Sequence, residues 1–219
     1  MKRRELFTAY GQELAAVCRP GVNRMANLLP NTVFRNQDDE EVRFYDDLIK
    51  GRQVMVMMMY ATCETFCPMA TKRMVDLHHQ ALAARMGKDL FMVNVSLKPE
   101  EDTPAALKEY AKANRALLPG WTFITGNQRD VDTLRYRLFS HDHIGIDLDV
   151  DQHAGIMKII NDPVQRWFHA DVFASTRTVL EHIRWSDPPK SLRERMKDNA
   201  RLQREIEHDI EVHGYHKMA

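Results

Sequence analysis

The chain has 219 residues, enough for one sizeable α/β domain with appendages, and equal numbers of basic and acidic residues, 31 each. With no basic excess or stripe, a nucleic-acid partner is not expected, and no apolar stretch approaches the ~20 residues of a transmembrane helix. Three cysteines, an odd number, exclude both a fully paired disulfide framework and a four-cysteine structural zinc site.

Residues 1–30 read as a lead-in. Lys2-Arg3-Arg4-Glu5-Leu6-Phe7 has a twin-arginine look, but the segment after it is interrupted by Glu13 and Arg19. No apolar core or cleavage site is clear, so a charged amphipathic start is expected rather than a signal peptide or anchor. Cys18 reads as an unpaired small apolar residue, Val17 being bulky for the position before a lipid-attachment cysteine. Pro20, Gly21 and Pro30 break any continuous element.

Two short strands are predicted at 31–34 and 42–45, around the polar turn Asn36-Gln37-Asp38-Asp39. The uncharged run Val54-Met55-Val56-Met57-Met58-Met59-Tyr60 reads as a buried central strand, its methionines packing in core rather than binding metal. A helix at 68–86 comes next, then a second buried strand at 90–96. Thr103 as N-cap and Pro104 at the first helical position open a helix to about residue 114. A strand at 121–125, a helix at 130–139 capped by Asn127 or Asp130, and a strand at 155–160 continue the chain. Asn161-Asp162-Pro163 turns it into a hairpin partner at 165–170, and Ser175 or Thr176 caps a last helix to 183.

This succession, β-β-β-α-β-α-β-α-β-β-α, suits a thioredoxin-like α/β fold: a central mixed sheet with helices on both faces and its chemistry at a strand's carboxyl end. Residues 31–187 make that domain. After Pro188-Pro189 the residues 188–219 form a charged tail, with Leu192, Met196, Leu202, Ile206 and Ile210 at the spacing of an amphipathic helix.

The informative feature is Cys63-Glu64-Thr65-Phe66-Cys67-Pro68, between the first central strand and its helix. Thiols near a helix N-terminus are shifted toward thiolate. Three intervening residues set the pair at i and i+4, one helical face, roughly 5–6 Å apart at Cβ. Such a pair can hold one soft metal ion or close a disulfide after modest movement. Two thiolates select copper(I), and a third ligand would be a histidine or methionine from elsewhere.

Three segments carry a resemblance to a known family. Tyr60-Ala61-Thr62-Cys63-Glu64-Thr65-Phe66-Cys67-Pro68 is similar to the Cys-x-x-x-Cys-Pro segment of the Sco/SenC proteins. Ser96-Leu97-Lys98-Pro99-Glu100-Glu101-Asp102-Thr103-Pro104-Ala105-Ala106-Leu107-Lys108-Glu109-Tyr110 resembles their Ser-Val-Asp-Pro-x-x-Asp-Thr-Pro-x-x-Leu-x-x-Tyr stretch, and Asp151-Gln152-His153-Ala154-Gly155-Ile156 their Asp-His-Ser segment. The resemblance implies copper held by Cys63, Cys67 and His153, and a role in assembling the dinuclear copper centre of cytochrome c oxidase, by metal delivery or thiol reduction. It implies a copper-receiving or dithiol partner protein, with a cytochrome c oxidase subunit as the candidate, and an extracytoplasmic setting in the periplasm or facing a membrane. A copper chaperone is expected more than an enzyme; the alternative is a thiol–disulfide oxidoreductase with Cys63 and Cys67 as its catalytic pair and Cys63 as nucleophile. No proline lies between Pro119 and Pro163, where an oxidoreductase of this fold would carry a cis-proline.

The sequence departs from the family at Glu64-Thr65, where Pro-Asp is usual, at Lys98 in place of an aspartate, and by one extra residue between Asp151 and His153. His141 and His143 are the other candidate third ligands. His78 and His79 are expected on a solvated helix face, and His208, His213 and His216 in a solvated tail. Trp121, Trp167 and Trp185 read as packing residues. An activated-thiol peroxidase would need an arginine near the thiols, for which Arg52 and Arg73 are the ones to place.

Overall fold

In the computed structural model, which describes residues 24–83, 90–139 and 155–186, the chain runs α1 (Arg24–Leu28), β1 (Val33–Asn36), β2 (Glu41–Arg43), a π-helical turn (Phe44–Ile49), β3 (Gln53–Met59), α2 (Phe66–Ala83), β4 (Leu90–Ser96), α3 (Pro104–Ala113), β5 (Trp121–Thr125), α4 (Gln128–Phe139), β6 (Ile156–Asn161), a 3-10 turn (Asp162–Val164), β7 (Arg166–Asp171) and α5 (Thr176–Ser186). All of it lies in one unit, Met1–Ser186. The strands make one mixed sheet in the order β2-β1-β5-β4-β3-β6-β7. Strand β3 pairs parallel with β4 and antiparallel with β6; β4 and β5 are parallel, and both flanking pairs are antiparallel.

All seven residues of β3 are buried. Successive strand side chains point to opposite faces, so one apolar run feeds two cores. Met55, Met57 and Met59 pack with Ala70, Met74 and Leu77 of α2, Leu107 and Tyr110 of α3, and Val179 and Ile183 of α5. Val54, Val56 and Met58 face the other way, onto Met25, the π-helical residues Phe44 and Leu48, and Val131, Leu134 and Leu138 of α4. Fully burying each such side chain contributes ~1.5–3 kcal/mol. Helices therefore cover both faces, as the element order predicts.

Local signals explain the boundaries. The Thr103 hydroxyl accepts from the Ala106 N–H at 3.2 Å, with Pro104 in the first turn of α3. The Asn127 side chain accepts from Asp130 N–H, and Ser175 from Thr178 N–H, opening α4 and α5. The hairpin between β6 and β7 turns at Gln165, whose φ of 54° is left-handed. There the Asp162 carboxylate accepts from the Tyr45 hydroxyl at 3.0 Å and the Gly51 N–H at 2.7 Å.

Three expectations need correction, and one buried residue went unforeseen. The lead-in is not free of structure: α1 buries Met25 onto the second core, with the neighbouring Leu29. These two apolar residues at i and i+4 form a stripe between the breakers Gly21 and Pro30. The strand predicted at 42–45 ends at Arg43, and Phe44, Tyr45, Leu48 and Ile49 form the buried stripe of a π-helical turn. Third, His78 is not on a solvated face. It is 4% exposed and its ring stacks on Trp121; only His79 faces solvent. Trp121 is core and Trp167 packs partly buried, as predicted, whereas the Trp185 side chain lies outside the described residues. Finally, a lysine nothing in the sequence singled out, Lys158, is buried in β6. Its ammonium meets His169 Nε2 at 2.5 Å and sits over the Trp167 ring.

Because Met55 is wholly buried between β3 and its covering helices, Met55→Ala is expected to destabilise the protein by about 2–5 kcal/mol. The urea midpoint should fall with the slope of the transition unchanged.

Candidate thiol site

Strand β3 delivers the thiols. It ends at Met59, the chain turns through 60–65, and α2 starts at Phe66, so Cys67 lies within the first helical turn and Cys63 just before it. This places the pair at the carboxyl end of a central strand, where α/β sheets carry their sites. The Cys63 Sγ accepts a hydrogen bond from the Cys67 N–H at 3.2 Å, satisfying one of the orphan donors of the helix start. Both cysteines are free thiols; Cys63 is 8% exposed and Cys67 wholly buried.

Their electrostatics diverge. Burial alone would raise the Cys63 thiol, but the Cys67 N–H, the Cys67 side chain, the Thr65 N–H and the Tyr60 hydroxyl together hold it below its ordinary value. Burial pushes the Cys67 thiol up to about 12; a hydrogen bond from the Tyr60 backbone opposes this, and the neighbouring Cys63 and the Asp102 charge add to it. The pair is thus a thiolate former that keeps a small exposed area beside a wholly buried reserve thiol.

The loop after β4 braces the turn. Leu97 N–H donates to the Met59 carbonyl at 2.7 Å. Asp102 is wholly buried; its carboxylate accepts from the Ala61 N–H at 3.1 and 3.2 Å and from the Ser96 hydroxyl at 2.6 Å. Burial raises the Asp102 pKa, with the Ser96 and Ala61 hydrogen bonds opposing that shift. The Lys98 ammonium sits 4.4 Å from the centre of the Tyr60 ring. The sequence places Ser96, Lys98 and Asp102 within a motif but assigns them no role at the site. A serine closing a buried strand, with an aspartate six residues on, was the available signal.

On the other side, Gly155 precedes β6. A side-chain carbon there would fall 2.8 Å from Phe66 and 2.9 Å from Val172, so the absence of one lets the chain pass against the cysteine turn. Phe66 and Phe173 meet edge to face at 5.5 Å beside it, and Met69, one turn into α2, is 55% exposed.

Of the sequence-predicted site residues, the structure brings Cys63 and Cys67 together. His153 lies outside the described residues, as do Cys18, His141, His143 and the tail histidines. Among the described residues, no cluster of three His, Cys, Asp or Glu side chains could hold a metal. Both arginines considered for a peroxidase site are engaged by other groups. Arg73 donates to the Ala174 carbonyl and the Thr176 hydroxyl, and Arg52 donates to the Asp47 carbonyl and lies over Phe91.

A model of the SCO1/SenC family matches residues 26–185. The chain belongs to that family. It is similar to the SCO1 protein homolog of Bacillus subtilis, 30% identical over 107 residues, or 48% of this chain, and it spans only about half, 53%, of that relative. The SCO2-like protein of Rickettsia felis is 23% identical over 146 residues, covering 64% of this chain and 69% of that one. Among solved structures, BsSco, described as having a disulfide switch and as a member of the Sco family of cytochrome c oxidase assembly proteins, superposes with a TM-score of 0.60. That match has 23% identity and covers 73% of this chain and 92% of BsSco. Yeast Sco1 with copper bound gives a TM-score of 0.54 at 18% identity, covering 74% and 95% of the two chains. These matches establish the thioredoxin-like fold. No helix among the described residues is long and apolar enough to cross a membrane.

The split between the thiols has two measurable consequences. In the reduced protein below pH 9, iodoacetamide should label Cys63 and spare Cys67, as read by peptide mass mapping. Stability should also fall in alkali. Cys67 stays protonated when folded but ionises near 9 when unfolded, so the unfolded state binds fewer protons between pH 9 and about 12. Tyr110, whose pKa is also raised by burial, acts in the same direction above 10. The depressed Cys63 acts oppositely, but its contribution is complete once pH reaches 9. A falling unfolding midpoint between pH 9 and 11 checks this.

Proposed function

We propose that this protein is a copper metallochaperone that takes copper as cargo on Cys63, Cys67 and His153 and passes it to a partner in cytochrome c oxidase assembly. The observation that carries the reading is the 3.2 Å contact from the Cys67 N–H to the Cys63 sulfur, which sets two thiols around one helix start. A paired thiolate donor set suits copper(I). The copper-bound yeast structure and the copper-bound Bradyrhizobium japonicum ScoI structure share the fold and support the same cargo.

His153 is the third ligand. Its support is the sequence: His153 stands two residues before Gly155, which passes against Phe66, the residue before Cys67. In the reduced protein Cys63 and Cys67 supply sulfur and His153 a neutral imidazole nitrogen; copper leaves by stepwise ligand exchange with incoming thiols or imidazoles. Oxidation of the pair to a disulfide removes both sulfur ligands and couples loading to redox state.

The recipient is a copper-accepting or dithiol partner, with a cytochrome c oxidase subunit as the candidate, and the setting is extracytoplasmic; that a protein of similar fold from Bacillus anthracis is a SCO1/SenC family lipoprotein supports this setting. Residues 31–187 form the copper-handling domain, with 1–30 as its lead-in and 188–219 as a charged tail. A thiol–disulfide oxidoreductase is the second reading, favoured by the divergent thiol pKa values and by the disulfide switch described for BsSco.

Titrating the reduced protein with copper(I) against a competing chelator should give one tightly held ion per chain. Cys63→Ser should lose it, and His153→Ala should weaken it at least tenfold while leaving disulfide reduction largely intact. Full, tight binding by Cys63→Ser overturns the metallochaperone reading; undiminished copper binding by His153→Ala removes that histidine from the ligand set.

A further inference from the structure

The thiol turn is irregular backbone, so something must hold it. Residues 60–65 form no helix or strand, yet they set both sulfurs: the Tyr60 hydroxyl and the Thr65 N–H reach Cys63, and the Tyr60 backbone reaches Cys67. The group that grips this segment from outside is Asp102. It is 41 residues away in sequence and wholly buried, and its two carboxylate oxygens both accept from one backbone donor, the Ala61 N–H.

Asp102 is itself held. The Ser96 hydroxyl donates to its Oδ2 at 2.6 Å, while the Ser96 oxygen accepts from the Lys98 N–H at 3.0 Å. The Asp102 N–H donates to the Lys98 carbonyl at 2.9 Å. A network whose members all have partners is rigid, and its bonds are worth more inside the protein than in water. Ser96 ends β4, paired in register with Met59 at the end of β3, so the clamp is built on two central strands rather than on a loop.

We propose that Asp102 is a positioning residue for the thiol pair: with Ser96 it clamps the Ala61 N–H and so preorganises Cys63 and Cys67 to bind one soft centre together. Neither Asp102 nor Ser96 touches the cargo. The clamp acts by geometry, through hydrogen-bond acceptance, and lowers the ordering cost of bidentate thiol binding. It rests on the reading of Cys63 and Cys67 as a working pair and holds for copper and for disulfide chemistry alike.

The test uses phenylarsine oxide, which needs two adjacent thiols but no histidine and no copper. Two S–H groups and the As=O unit give two As–S bonds and one water, with no change of oxidation state. Asp102→Ala in the reduced full-length protein should bind it about tenfold more weakly, and Ser96→Ala, which leaves the Ala61 bonds but frees the carboxylate, about threefold. Asp102→Asn, whose amide oxygen still accepts from Ala61, should stay within threefold of the unaltered protein. Copper(I) affinity should fall in the same order.

Thermal unfolding is measured in parallel. Asp102→Ala with a lowered midpoint but unaltered arsenical affinity overturns the proposal, because Asp102 would then support only the fold. Asp102→Asn as damaging as Asp102→Ala overturns it too, by assigning the effect to charge. If Asp102→Ala does not fold, Ser96→Ala decides, and unaltered binding there counts against the clamp. Unaltered protein that binds the arsenical but not copper refutes the metallochaperone reading while leaving the clamp to be judged by its own variants.

Discussion

Everything in this fold hangs on the complete burial of β3, whose hydrogen-bonding edges are both taken, by β4 and by β6. A strand of seven residues, six of them apolar, with no exposed side chain has one stable register, because sliding by one would exchange the side chains meant for each core. That certainty is transmitted to its end. Met59 is pinned laterally by the Leu97 N–H, and the chain leaves the sheet at a fixed point and direction, so the donor pair sits on a rigid base.

This is also why so much was legible. Long periodic or uncharged segments gave their own positions: the second buried strand and the 121–125 strand have the predicted limits, and α3 starts at the predicted cap. What escaped were places where long-range packing overrides a local pattern. Phe44 and Tyr45 look like strand residues, yet their burial partners are Phe34, Val54 and Ile160. His78 looks like half of a polar pair on a helix, but its face of α2 meets Trp121. Lys158 falls within a strand pattern, and only tertiary structure reveals the His169 and Trp167 side chains opposite it.

The site was legible unevenly for a related reason. Cysteine spacing is a local signal, and two thiols at i and i+4 on a helix start come from it directly. The difference between them does not: it depends on which sulfur the fold covers and on donors from Tyr60 and Thr65. Asp102 is less legible still, since an aspartate before an N-cap ordinarily reads as a solvated loop residue. Its burial beneath the thiol turn arises only when β4 is laid beside β3.

The pairing of β3 carries a cost at birth. Its partner β6 is joined to it about a hundred residues later in the chain, so during synthesis β4 can close one edge early while the other stays bare. A bare, uncharged, methionine-rich edge is a template for pairing with another chain, and non-local pairings of this kind form late. Until Ile156–Asn161 has emerged, the strand that later steadies the thiols therefore leaves an association-prone edge on the nascent polypeptide.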